Sequence, residues 1–132
     1  LKKDFFKLIR LTVVNIREDG DRSDCEASIQ VDIGGHVEHT ASGGVGPVNA
    51  IDLALRKALI SYYPELENFK LKDYKVEIAG NIGGTEAEVF VQIVSGTEKE
   101  WITYGRSENV LDASWDALAT GVKNFLKEIG GE

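Results

Sequence analysis

The apolar and polar positions change period in the same order twice along the chain. From Phe5, FFKLIRLTVVNI mixes alternation with β-branched residues, and REDGDRSD then interrupts it with charged and turn-forming residues, which predicts a strand and then a loop. CEASIQVDI puts Ala27, Ile29, Val31 and Ile33 on one face, Gly34-Gly35 suits a tight hairpin, and HVEHTAS returns as a shorter antiparallel strand. After Pro47 the apolar positions fall at Val48, Ile51, Leu55, Leu59 and Tyr62, a helical spacing that Pro64 ends. Pro47 suits the first helical turn, where its missing N–H costs little.

The series then restarts. YKVEIAG from Tyr74, TEAEVFVQIVSG from Thr85 and EKEWITYG from Glu98 predict three strands, and a helix is predicted from about Asn109 to Ile129. EASIQV at Glu26 matches EAEVFV at Glu86, and VNAIDLAL at Val48 matches LDASWDAL at Leu111, so the chain reads as a duplication with copies over about 5–64 and 70–130. The predicted fold class is α+β: a duplicated strand-strand-strand-helix unit, with antiparallel sheets and two helices packed on one apolar face. The strands form either two sheets of three or one larger sheet, and surplus apolar surface would point to a dimer.

Composition narrows the partners. A chain of 132 residues suits one domain that buries roughly two-thirds of its unfolded surface. The 15 basic and 22 acidic side chains give a formal charge of −7, a field that repels nucleic-acid backbones and anionic membrane surfaces. Cys25 is the only cysteine, which excludes an internal disulfide and fits a reducing, cytoplasmic setting. No apolar run approaches the roughly 18 residues of a membrane span, and no basic-then-apolar leader is present. The first residue is Leu1, so the chain reads as a piece of something longer, with LKKDFF as the tail of a linker.

The stretch GGVGPVNAIDLAL, from Gly43 to Leu55, opens a helix from a glycine-rich turn and exposes backbone N–H groups suited to an anion. It lacks the Lys-Ser or Lys-Thr pair of a Walker loop, and its glycines lack the spacing of a dinucleotide fingerprint. A turn that only joins strand to helix is the plainer reading. The duplication, however, places a second helix start, GRSENVLDA, in the equivalent position, so two such starts could converge. Each carries a polar side chain, Asn49 or Asp112, beside its amides, a pair able to receive an ammonium or a carboxylate. Asp52, Asp112 and Asp116 sit in or near first helical turns, where capping or dipole support is the expected role. His36 and His39 fall on opposite faces of a strand and read as surface histidines, and Cys25 between Asp24 and Glu26 is a poor nucleophile. Trp101 and Trp115 read as core packing, and the Gly-Gly pairs at 34 and 83 as hairpin turns. No catalytic constellation is discernible.

The ordered blocks GPVNAIDLALRKAL, LKDYKVEI, GTEAEVFVQI and WITYGRSENVLDASWDAL together resemble the C-terminal regulatory domain of the 2-isopropylmalate synthase and citramalate synthase family, over about Phe5 to Ile129. SENVLDASWDAL, with Trp101 before it, is more similar to the citramalate synthases. The resemblance implies a single regulatory domain over 1–132, two tandem strand-strand-strand-helix units, and a homodimer that binds an end-product amino acid near its interface. That effector is a free branched-chain amino acid, isoleucine for many citramalate synthases and leucine for isopropylmalate synthases. A separate catalytic TIM barrel, with its divalent metal and acetyl-CoA, is implied elsewhere in the full-length chain, so no cofactor and no catalytic residue are expected here. By family position the effector site takes Gly46, Val48 and Asn49 at the first helix start and Ser107, Asn109 and Asp112 at the second. Leu71, Tyr74, Ile78 and Val89 would wall the apolar tail. Leu71 and Tyr74 cannot share a face in a regular strand, so at least one is expected in an entry turn. The family often has Asp where this chain has Asn49, so no direct ion pair to the ligand ammonium is implied there. Two other readings stand beside it: a dimerisation module that keeps the fold without a ligand and, least expected, a small independent enzyme using the carboxylates.

Overall fold

The computed structural model describes residues 5–20, 23–79 and 88–130. The chain divides into two compact units, Leu1–Leu66 and Glu67–Glu132. The first contains β1 (Lys7–Arg17), β2 (Ser23–Ile33), β3 (His36–Gly44) and α1 (Pro47–Leu59), and a short 3₁₀ helix follows at Pro64–Asn68. The second contains β4 (Lys70–Ala79), β5 (Glu88–Gly96), β6 (Glu100–Ser107) and α2 (Val110–Ile129). Each unit is an antiparallel three-stranded sheet in simple order, β1-β2-β3 or β4-β5-β6, with its own helix across two of the strands. The α+β duplication is thus present, as two sheets of three.

In the first unit the alternation of β2 turns Ala27, Ile29, Val31 and Ile33 inward, where all are buried beneath Ala50, Ile51, Ala54, Leu55, Ala58 and Leu59 of α1. Each fully buried Leu or Ile contributes roughly 1.5–3 kcal/mol. Gly34 and Gly35, with φ of 60° and 96°, form the two-residue hairpin, and the Asp32 carboxylate accepts the Gly35 N–H at 2.8 Å. The pair at Gly83 lies outside the described residues. Phe6 is buried and the Phe5 ring meets Tyr63 edge-on at 5.9 Å, so FF belongs to the packed unit rather than to a linker. In the second unit Phe69, Trp101 and Phe125 form one ring cluster, with centroids 4.5 to 6.0 Å apart.

The two copies agree in detail. Thr40 donates to the Ala54 carbonyl at 2.6 Å, and Thr103 donates to the Ala117 carbonyl at 2.6 Å, so each outer strand is tied to its helix by the same bond. The same offset carries the irregularity at Leu8-Ile9-Arg10 of β1 onto Leu71-Lys72-Asp73 of β4. The helix match made by sequence therefore holds, but the strand match does not. Ile29 faces Thr40 and Ile93 faces Thr103, so Ala27–Val31 corresponds to Val91–Ser95, and EASIQV is not the counterpart of EAEVFV.

Three local expectations are also corrected. Helix α1 stops at Leu59, whose carbonyl accepts from both Tyr62 and Tyr63, so Tyr62 lies past the helix and its hydroxyl donates to Glu38 at 2.6 Å. Asp52 is not in the first turn; it is buried and paired with Arg56 one turn on, at 3.0 Å. Leu71 and Tyr74 do share a face. The extra residue between Leu71 and Asp73 is a β-bulge that resets the alternation, so Leu71 pairs with Ser95 and Tyr74 with Ile93, both on the helix side of the sheet.

Candidate functional site

At the start of α1 the sheet supplies a row of Asn15, Cys25 and Gly44, and the Cys25 thiol donates to Asn15 Oδ1 at 3.1 Å. Gly44 lets backbone approach backbone: a Cβ there would stand 2.6 Å from the Ala50 nitrogen and 2.7 Å from Asn49 Oδ1. Gly46 is the N-cap residue, extended and without a side chain, and no side-chain hydrogen bond caps the helix. Pro47 has no N–H to satisfy, and Val48 is buried. Asn49 Oδ1 accepts the Val45 N–H at 3.1 Å, which fixes the loop and leaves the Asn49 amide nitrogen as a donor. The first-turn N–H groups of Val48 and Asn49 are therefore presented without a capping side chain.

The start of α2 differs. Asn109 caps it, accepting from the Leu111 and Asp112 N–H groups at 2.7 and 3.3 Å, and Ser107 Oγ accepts the Asn109 N–H at 3.1 Å. Asp112 is exposed in the first turn, where the macrodipole favours its charge. The adjoining sheet row has two apolar members: Ile78 pairs with Val89, and Val89 with Ser107. Because α2 lies across β5 and β6, the helix-facing side of β4 is open, and Tyr74, Val76 and Ile78 are 37%, 41% and 71% exposed. Ser114 Oγ spends its proton on the Val110 carbonyl at 2.7 Å, so at 3.3 Å it accepts from the Tyr74 hydroxyl, which holds that ring beside the helix.

Within the second unit the structure thus brings Ile78, Val89, Ser107, Asn109 and Asp112 to one end of the sheet, while Tyr74, in the row of Ile93, lies four residues along β5 from Val89, or about 13 Å. Leu71 lies in the row of Ser95 and Trp101, six residues along β5 from Val89, or about 20 Å. Gly46, Val48 and Asn49 gather at the equivalent corner of the first unit. Asn15, Cys25 and Ser114 were not assigned to a site from sequence. For Asn15 the signal was available: it is the polar residue that ends the inward alternation Leu11, Val13, Asn15. His36 and His39 do take opposite faces, His36 near the Tyr62 ring and His39 on Ser28. Tyr62 is held above the ordinary tyrosine range, first by its bond to Glu38, and Tyr63 by burial. No group of three metal-ligating side chains occurs among the described residues, and no helix among them is long and apolar enough to cross a membrane.

The comparisons bear on the whole chain. Residues 1–126 match the LeuA allosteric (dimerisation) domain. The chain belongs to that family. It is 46% identical over 126 residues to an "(R)-citramalate synthase" of Geobacter sulfurreducens, a match that covers 94% of this chain and 24% of that protein. An "(R)-citramalate synthase" of Aquifex aeolicus is 44% identical, covering 92% of the chain and 24% of the protein. A "2-isopropylmalate synthase" of Methanocaldococcus jannaschii is more distant, at 33% identity over 81% of the chain and 19% of the protein. The LeuA-type chain therefore spans about a quarter of the length of these relatives.

Proposed function

We propose that this LeuA-type chain is the regulatory and dimerisation part of a citramalate-synthase-like acyltransferase, and that a free branched-chain amino acid, isoleucine before leucine, is its effector. The observation that carries this reading is the unequal treatment of the two helix starts. Asn109 closes the amides of α2 with its own side chain, whereas Gly46 leaves those of α1 open. An open helix start favours a carboxylate through its N–H groups and the positive end of the dipole. The open wall of Tyr74, Val76, Ile78 and Val89 suits a branched aliphatic side chain. Each feature, on its own unit, suits one group of a branched-chain amino acid, and placing one methyl differently separates isoleucine from leucine by about 1–3 kcal/mol. The acyl transfer, condensing acetyl-CoA with an α-keto acid at a divalent metal, belongs in this proposal to the three-quarters of the relatives that lie beyond the match. Feedback inhibition then requires that the amino acid bind one arrangement of the full-length homodimer better than another.

Titration calorimetry with isoleucine and leucine tests the reading, with saturable heat expected for both and the tighter binding for isoleucine. Absence of heat at millimolar ligand, together with an unchanged melting temperature, would leave a dimerisation module without a ligand.

A further inference from the structure

The outer face of the first sheet, turned away from α1, carries a polar cluster that the effector reading does not use. Register places Arg10, Gln30 and His39 in one row across the three strands, and Thr12 and Ser28 in the next. These five side chains line a single open cavity of about 220 Å³. Ser28 Oγ and His39 Nε2 are 2.9 Å apart. All five carry hydrogen-bond donors, one of which the Ser28–His39 bond uses, and none is a carboxylate. Arg10 has no carboxylate partner among the described residues. Of the acids on the same face, Asp32 in the row beside Gln30 accepts the Gly35 N–H in the hairpin, and Glu26 and Asp24 stand one and two rows beyond Ser28.

The second unit serves as an internal control. At the equivalent positions its outer face carries Asp73, Val94 and Ile102 in one row and Lys75, Gln92 and Tyr104 in the next. The frame thus accepts an acid and apolar side chains where the first unit gathers donors, so the donor set is not a requirement of the fold.

We propose that this cavity binds the phosphoryl group of a small soluble metabolite. A carboxylate offers two oxygens in a plane, which the Arg10 fork alone would satisfy; a guanidinium, two hydroxyls, an amide and an imidazole together match the three or more oxygens of a tetrahedral anion. The charge of −7 disfavours a polyanion such as nucleic acid, which leaves a small ligand as the occupant. This inference is independent of the amino-acid reading, which in the first unit uses the start of α1, on the opposite face of that sheet.

The test is titration of the chain with inorganic phosphate at constant ionic strength, followed by amide chemical shifts and calorimetry. Saturable binding is expected, with shifts centred on Ser28, Gln30 and His39. Arg10→Gln should weaken it by about tenfold or more, and Lys75→Gln on the other sheet should leave it unchanged. Sulfate should compete, and acetate should not. Should Arg10→Gln unfold the unit, Thr12→Val and His39→Gln give the same reading. A response that does not saturate, that Lys75→Gln weakens as much as Arg10→Gln, or that acetate reproduces would overturn the proposal.

Discussion

Replacing Gly46 by Asp sets stability against effector binding. Gly46 is the extended N-cap of α1, with φ of −163°, a conformation any residue adopts, and a Cβ added there meets nothing within 4 Å. The new carboxylate can accept from the first-turn amides, as Asn109 does in α2. Asp in place of a glycine cap gains a few tenths of a kcal/mol, and its charge at the helix start adds about 0.3–1 kcal/mol. The melting temperature should therefore rise by roughly 1–5 °C. The same carboxylate blocks and repels an incoming one, and a charge-assisted hydrogen bond is worth about 1.5–3 kcal/mol, so affinity for isoleucine should fall at least about tenfold. Thermal melts with and without isoleucine read both effects at once, and Gly46→Asn supplies the cap without the charge. A variant that is stabilised yet keeps the parent's full ligand-induced rise would show that the effector carboxylate does not sit at α1. A variant that melts lower would show that the cap geometry argued here is wrong.

Asn109→Ala removes the acceptor of two amides and should cost about 1 kcal/mol, visible as a lower urea midpoint with an unchanged slope. Gly105→Ala places a Cβ against the Ala113 carbonyl, 2.7 Å from its carbon, so β6 and α2 must part; a loss of about 1–3 kcal/mol or more is expected, and a loss under about 0.5 kcal/mol would contradict the packing described. Ser95 Oγ is buried with no hydrogen-bond partner among the described residues, so Ser95→Ala should leave stability unchanged or raise it by up to about 1–2 kcal/mol in the same assay. The folded chain holds the Tyr62 proton more tightly than the unfolded chain does, chiefly through Glu38. That contribution is complete below about pH 10 and is lost as pH rises through the folded pKa. Glu38→Gln should therefore bring Tyr62 down toward the ordinary value in a tyrosinate absorbance titration and reduce the alkaline loss of stability.

The hydrophobic periods were enough to read the element order, because each sheet buries one face and each helix one stripe: Ala27, Ile29, Val31 and Ile33 alternate, while Ala50, Ile51, Ala54 and Leu55 recur at helical spacing. Pattern alone could not find the bulge at Lys72, since an inserted residue looks like ordinary sequence until its neighbours' partners are known. It also misjudged the repeat in the middle strands, where Glu-Ala and alternating valines recur for reasons of strand chemistry and not of equivalence. At the helix starts the residue types were legible but their bonds were not. That Asn109 closes its own helix while Asn49 turns back to Val45 follows from backbone geometry, which spacing does not encode. The donor cavity was invisible for a related reason. Arg10, Thr12, Ser28, Gln30 and His39 come from three strands, and only the register makes them neighbours.

The surplus residue that opens both copies, Ile9 in one and Lys72 in the other, governs how these chains can be aligned with each other and with more distant kin. A relative lacking it would need a gap there. An ungapped comparison would assign inward side chains upstream of that point to solvent, and solvent-facing ones to the interior. Leu8 and Leu71 are the residues most exposed to that error, and inferences carried onto either one by counting should be checked against strand pairing first.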